Sequence, residues 1–163
     1  MQSSMHPIHA RASDLQGYIE GELGPDGRPD LDAPYAAQLR LPVRAMRSGN
    51  RLQDMEMQRR IEARRYPTID VRVGHVQSLD GSGRYRASLE VTAHGQTVPV
   101  EEDLVLQVED GHLVVDGEHR FDMRDFGVDP PRFLALRVRP EVTVRAHIVA
   151  VEEATGDQQS DGT

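Results

Sequence analysis

The sequence predicts an all-β fold, an antiparallel barrel of about seven to eight strands with one short helix near an end, and three observations carry that expectation. Apolar side chains recur at every second position through most of the chain, the period of strands with one buried face. Short links rich in Gly and Asp join these stretches, and links of that length pair neighbouring strands antiparallel. Residues 51–65 alone have the spacing of a helix. At 163 residues the chain is expected to build a single core, with one domain over residues 1–152.

Taken in order, residues 8–23 and 36–46 read as the first two strands, the second with Leu39, Leu41 and Val43 on one parity. The link GPDGRPDLDAP separates them. Ser48-Gly49-Asn50 offers a cap for the helix, and Leu52, Met55, Ala63 and Tyr66 project to one side of it, while Met57 and Ile61 point elsewhere. Pro67 biases Tyr66 towards an extended backbone and stops the helix there. Residues 68–77 then place Ile69, Val71 and Val73 against Thr68, Asp70 and Arg72. After the turn LDGSG, residues 84–93 align Tyr85, Ala87, Leu89 and Val91. His94-Gly95-Gln96 turns into a strand carrying Val98, Val100, Leu104, Leu106 and Val108. Glu109-Asp110-Gly111 returns it as Leu113, Val115, Phe121 and Met123, and the last strand, after a loop holding Pro130-Pro131, aligns Val142, Val144, Ala146, Ile148 and Ala150. The tail over residues 153–163 has nothing to bury and is expected to be disordered.

Composition removes several function classes. A formal charge of −8 and a pI of about 5.3 argue against a nucleic-acid partner, as do the absence of Trp and an aromatic content of 4%. All 19 basic side chains are Arg, which a GC-rich coding bias explains, so they carry no functional weight. With no Cys there is no disulfide framework, thiolate metal site or cysteine nucleophile. The chain has neither an apolar run long enough to cross a bilayer nor the layout of a secretory signal, and as written it is expected to be cytoplasmic.

A barrel of this size either fills its interior with side chains or holds one slim ligand. The inward parity includes Gly117, Ala87, Ala146 and Ala150, small residues that leave room, although larger neighbours could equally occupy it. Glu102 and His119 interrupt the apolar series. Buried polar groups must be paired or wet, so these two either face each other or a ligand's head, or a bulge flips the parity and turns them to solvent; the last is the cheaper reading. His6-Pro7-Ile8-His9 has a metal-like spacing, but an extended segment puts its rings on opposite faces and no further ligands cluster with it, so no metal is expected. His75, His94, His112 and His147 read as turn or solvent-face residues. No nucleophile elbow or phosphate loop surrounds Ser78 or Ser88, and the acidic pairs Glu101-Glu102 and Asp122 with Asp125 read as solvated, so no catalytic residues, enzyme activity or cofactor are expected.

The order of elements resembles the YceI-like family of lipocalin-like, polyisoprenoid-binding proteins over about residues 8–152. The resemblance is carried by Tyr66-Pro67-Thr68-Ile69 after a helix that Asp54 would enter, by Gly95 with Thr97, and by Asp125-Phe126-Gly127, followed by EVTVRAHIVAV. It implies a lipocalin-like barrel, capped by the helix, whose bore holds an isoprenoid, quinone or similar lipid without catalysis, often in a homodimer and often exported. The ligand-binding candidates are Ile69, Val71, Val73, Ala87, Leu89, Val91, Leu104, Leu106, Val115, His119, Phe121, Val144, Ala146 and Ile148. Two departures stand out. Ile61-Glu62-Ala63-Arg64-Arg65 replaces the paired Phe residues that precede Tyr-Pro in the family, implying different helix packing and a more polar mouth. The first strand also starts late, so residues 2–12 serve as a shortened strand, a partner copy covers the edge, or the natural start lies upstream with an export signal. The rival readings are a structural or protein-interaction barrel with a filled core, and, more weakly, a hydrolase or isomerase using Glu102 and His119.

Overall fold

The computed structural model describes residues 8–10, 15–129, 132–133, 136–137 and 140–151. Nine strands form one sheet: β1 (Ile8–Ala10), β2 (Gln16–Glu20), β3 (Ala36–Pro42), β4 (Met46–Arg47), β5 (Thr68–Ser78), β6 (Arg84–Ala93), β7 (Gln96–Glu109), β8 (His112–Asp122) and β9 (Glu141–Ala150). Their order across the sheet is β2-β3-β5-β6-β7-β8-β9-β1-β4. The helix α1 spans Arg51–Arg60.

The order shows how the sheet curls onto itself. β3 and β4 stand at opposite ends of that order, yet they are halves of one stretch joined through the 3-10 turn Val43–Ala45. β1 and β2 likewise share one N-terminal stretch, and both halves meet their partners in one register. Gln16 lies opposite Arg40 and His9 opposite Arg47, so seven residues back along one stretch match seven forward along the other. Two broken strands and five continuous ones make seven, as the alternation predicts. Seven strands of alternating direction leave the first and last pointing the same way, so the closing ladder must be parallel. β1 pairs β9 that way, Ile8 with Val144 and His9 with Arg145. The short β1 thus closes the sheet near the helix, as the shortened-strand reading expects. Farther along, no ladder joins β2 to β9 among the described residues. The expected tail at 153–163, Pro130-Pro131 and His6 lie outside the described residues.

Local chemistry explains the turns. His94-Gly95 and Asp110-Gly111 both have positive φ at their two central residues (51° and 71°, 51° and 78°), the backbone whose twist matches paired strands. On the outer face, Arg40 with Asp70, Arg86 with Asp103 and Glu118 with Arg145 sit directly opposite across the ladders and form ion pairs at 2.7, 2.9 and 2.6 Å. Each is exposed and worth little energetically, but a one-residue slip of any of these three ladders would break the pair it carries. The Arg86 guanidinium holds the Asp103 carboxyl below the usual carboxylate range.

Two expectations need correction. The helix buries the face opposite to the one its spacing suggested: Leu52 and Met55 are 77% and 57% exposed, whereas Ile61 is buried and Met57 packs with it against the core. It also ends before Tyr66. Ile61 is its C-terminal cap and Glu62 takes the left-handed conformation (φ 54°), after which the Arg65 and Tyr66 N–H groups return to the Glu62 carbonyl at 2.8 Å. The start follows expectation, since Asn50 Oδ1 accepts from the Leu52 and Gln53 N–H groups at 3.1 and 3.2 Å. In so short a helix that cap matters. Asn50→Ala is expected to lower stability by about 1 kcal/mol, read as a shift in urea midpoint with unchanged slope; an unmoved midpoint would contradict the capping role.

The second correction concerns β5. Val73 pairs with Leu89 but Val76 pairs with Ala87, so Gly74 and His75 together oppose Ser88 in a bulge. Past it Val76 turns inward out of the simple alternation, while His75 is exposed, as expected of a solvent-face residue. Gly74 within the strand was the available signal.

The core is divided. One buried cluster (Val43, Ile61, Val91, Ala93, Val100, Phe126, Val128) fills the helix end, and another (Val76, Tyr85, Ala87) sits towards the far end with Leu31 and Tyr35 packed on it. Between them the inward aliphatics are only half-buried, as walls of a space rather than members of a close-packed core.

Candidate ligand-binding site

That space is a cavity of about 590 Å³, within the range of roughly 300–1,000 Å³ typical of ligand pockets. β5, β6, β7, β8 and β9 wall it because their inward parity is aliphatic and each contributes every second residue. The candidates Ile69, Val71, Val73, Leu89, Val91, Leu104, Leu106, Val115, His119, Phe121, Val144, Ala146 and Ile148 all line it. Ala87 does not. It is 0% exposed, sealed beneath Val76 and Tyr85, because the bulge brings Val76 directly over it. Tyr35 secures that arrangement, its Oη accepting from the Val76 N–H at 2.8 Å.

The alternation did not reveal the floor or the rim. Met57, Ile61, Met46 and Phe126 close the helix end, so the segment expected to make the mouth more polar forms an apolar floor instead. At the other end the segment between β2 and β3 folds back through a small ladder, Glu22–Leu23 with Pro29–Asp30, and lines the cavity with both. Exposed Ile19, Leu23, Val108 and Val151 also line it, so the bore opens to solvent there. Gly117 sets its width. It faces Ala146 across one ladder and Leu104 across the other, and a Cβ on it would stand 2.6 Å from Leu104 Cδ2.

The polar pair corrects the cheaper reading. No bulge interrupts β7 or β8, so Glu102 and His119 keep the inward parity, and Glu102 Oε2 meets His119 Nδ1 inside the bore. Glu102 Oε1 accepts from the Asp103 N–H at 3.1 Å, and the His119 ring packs edge-on against Phe121 with centroids 4.6 Å apart.

His94 is likewise more than a turn residue. Its Nδ1 lies 2.9 Å from the Phe126 carbonyl oxygen and its Nε2 2.7 Å from Glu62 Oε2, and Tyr66 packs edge-on against it. Gly95 lies under the Tyr66 ring, where a Cβ would be 3.0 Å from Cε1. His94 thus ties the helix exit to the turn Met123–Phe126 and holds the floor shut. Among the described residues, no group of three or more His, Asp or Glu is placed to hold a metal ion, and no helix is long and apolar enough to cross a membrane.

The same architecture occurs in solved structures. BcnA of Burkholderia cenocepacia superimposes with a TM-score of 0.67 at 16% identity, covering 83% of this chain and 84% of that one. The YCEI protein of Campylobacter jejuni does so with a TM-score of 0.70 at 12% identity, covering 94% and 88%. At such identities the likeness shows the fold. Comparison with curated protein sequences gave no significant match. A family model described as the YceI-like domain matches residues 3–150, the whole described sheet from its short first strand to its last, and the chain therefore belongs to the YceI-like family.

Proposed function

We propose that this protein binds and carries an elongated, apolar, lipid-like molecule in the bore of its barrel, without chemically altering it. The observation that supports this most is the split core: two packed clusters touch the same wall residue, Leu89, from either end, and an aliphatic cavity of about 590 Å³ runs between them to the open rim. Membership of the YceI-like family, whose resemblance implies a lipid-holding bore, points the same way. At ~25 cal/mol per Å² of apolar surface removed from water, a chain of several isoprene units has ample driving force, part of which offsets the cost of ordering it. A homodimer belongs to the same proposal, and the outer edge of β2 is where a second copy would pair.

Native mass spectrometry of the protein purified without denaturation tests the reading. A discrete lipid mass is expected on the protein and in its organic extract. After delipidation, the chain is expected to take up a long-chain isoprenoid quinone or alcohol. A protein that arrives empty and binds neither overturns the carrier reading in favour of an interaction module.

A further inference from the structure

Glu102 and His119 stand where the β7–β8 ladder ends. Its last pair is Gly117 with Leu104, and just beyond it the two side chains meet inside the bore, nearer the floor than the rim. Glu102 is satisfied at both oxygens, by the Asp103 N–H and by His119. A carboxylate can only accept, so Nδ1 is the imidazole nitrogen that carries the hydrogen, and in that tautomer the lone pair stands at Nε2. Nε2 makes no hydrogen bond among the described residues. The edge-on contact with Phe121 fixes the ring's orientation. One oriented acceptor is thus left unfilled between aliphatic walls.

The charges around the cavity narrow what can fill it. Glu20, Glu22 and Asp30 line it near the rim, and the one Arg among its described lining residues, Arg145, stands on the outer parity of β9, is exposed and already pairs with Glu118 at 2.6 Å. A diphosphate or carboxylate head would pass acidic side chains at the rim and arrive beside Glu102 with no free Arg among the described residues to receive it, and a buried, unpaired anion is costly. A hydrocarbon would leave Nε2 unsatisfied. Building on the carrier reading, we infer that the ligand is a long-chain alcohol whose hydroxyl donates to His119 Nε2 while its tail runs past Leu104 and Val115 towards the rim.

Three matched ligands test this on the delipidated full-length chain: a long-chain isoprenoid alcohol, its methyl ether and its diphosphate ester, titrated calorimetrically. The wild type is expected to prefer the alcohol to the ether by roughly three- to tenfold, the worth of one hydrogen bond, and to bind the diphosphate weakest. In a Glu102→Gln/His119→Leu double variant, which removes both members and so strands no buried charge, alcohol and ether should bind alike. Equal affinities for alcohol and ether in the wild type, a preference kept by the double variant, or tightest binding of the diphosphate overturns the inference and leaves the carrier reading standing. If none of the three binds, the carrier reading itself falls, and this inference with it.

Discussion

An Ala146→Phe variant is expected to keep its fold and to bind an apolar chain about fifty- to a hundredfold more weakly than the wild type. Ala146 lies on β9 directly opposite Gly117, so the bore is lined there by the smallest side chains available, and Leu104 already reaches over the glycine. A phenyl ring in that space would displace roughly 100 Å² of ligand contact, which at ~25 cal/mol per Å² is about 2.5 kcal/mol of affinity. Stability is the discriminating second measurement. In a close-packed core an inserted ring costs about 1–3 kcal/mol through strain. In a hollow one it has somewhere to go, and the thermal midpoint should hold or rise. Leu89→Trp, midway between the two clusters, is expected to behave alike, whereas Val149→Phe on the exposed parity of the same strand as Ala146 should change neither quantity. Fluorescence displacement of a bound apolar probe reads the affinity and thermal unfolding the stability. Wild-type binding in both Ala146→Phe and Leu89→Trp would place the ligand elsewhere, and a large loss of stability without loss of binding would argue for a filled core.

The features legible in the sequence were those decided locally. Period-two alternation put Val71, Leu106 and Ile148 on the wall because a pleated strand leaves them no other face, and Asp110-Gly111 specified its own turn through its backbone preferences. What alternation cannot supply is the distance to the opposite wall. Whether Ala146 meets a side chain or a void depends on the width of the curled sheet, which no segment contains. The helix shows the same limit. Leu52 with Met55 and Met57 with Ile61 are comparable apolar sets at helical spacing, and the choice was made by how the helix lies across the barrel end, not by its own composition. His94 was illegible because its partners, Glu62 and Phe126, lie 32 residues to either side. Glu102 and His119 were legible as inward positions, and the error lay in inserting a bulge to avoid a buried polar pair. The bulge that does exist, at Gly74, displaced only Ala87 from the wall.

Four of the residues that carried the family resemblance converge on one place, and that place is expected to hold most of the stability of the barrel. Tyr66, Gly95, Phe126 and Gly127 come from three separate segments and meet around His94 at the closed end, where Phe126 is 7% exposed and packs against Phe121 with centroids 6.0 Å apart. The cavity leaves much of the inward aliphatic surface half-buried, so the energetic weight of a close-packed core shifts to this cluster. Phe126→Ala is therefore expected to cost about 3–5 kcal/mol, a large fraction of what a domain of this size has to lose. Phe126→Leu should cost roughly 1 kcal/mol, because it keeps most of the volume and leaves the carbonyl that faces His94 in place. Urea unfolding with both variants and the wild type, in the delipidated state so that bound ligand does not add its own stabilisation, provides the comparison. A Phe126→Ala loss below about 1 kcal/mol would mean that the floor is not what holds the sheet curled. The shared β1–β9 ladder and the outer ion pairs would then have to carry a load that their length and exposure do not support.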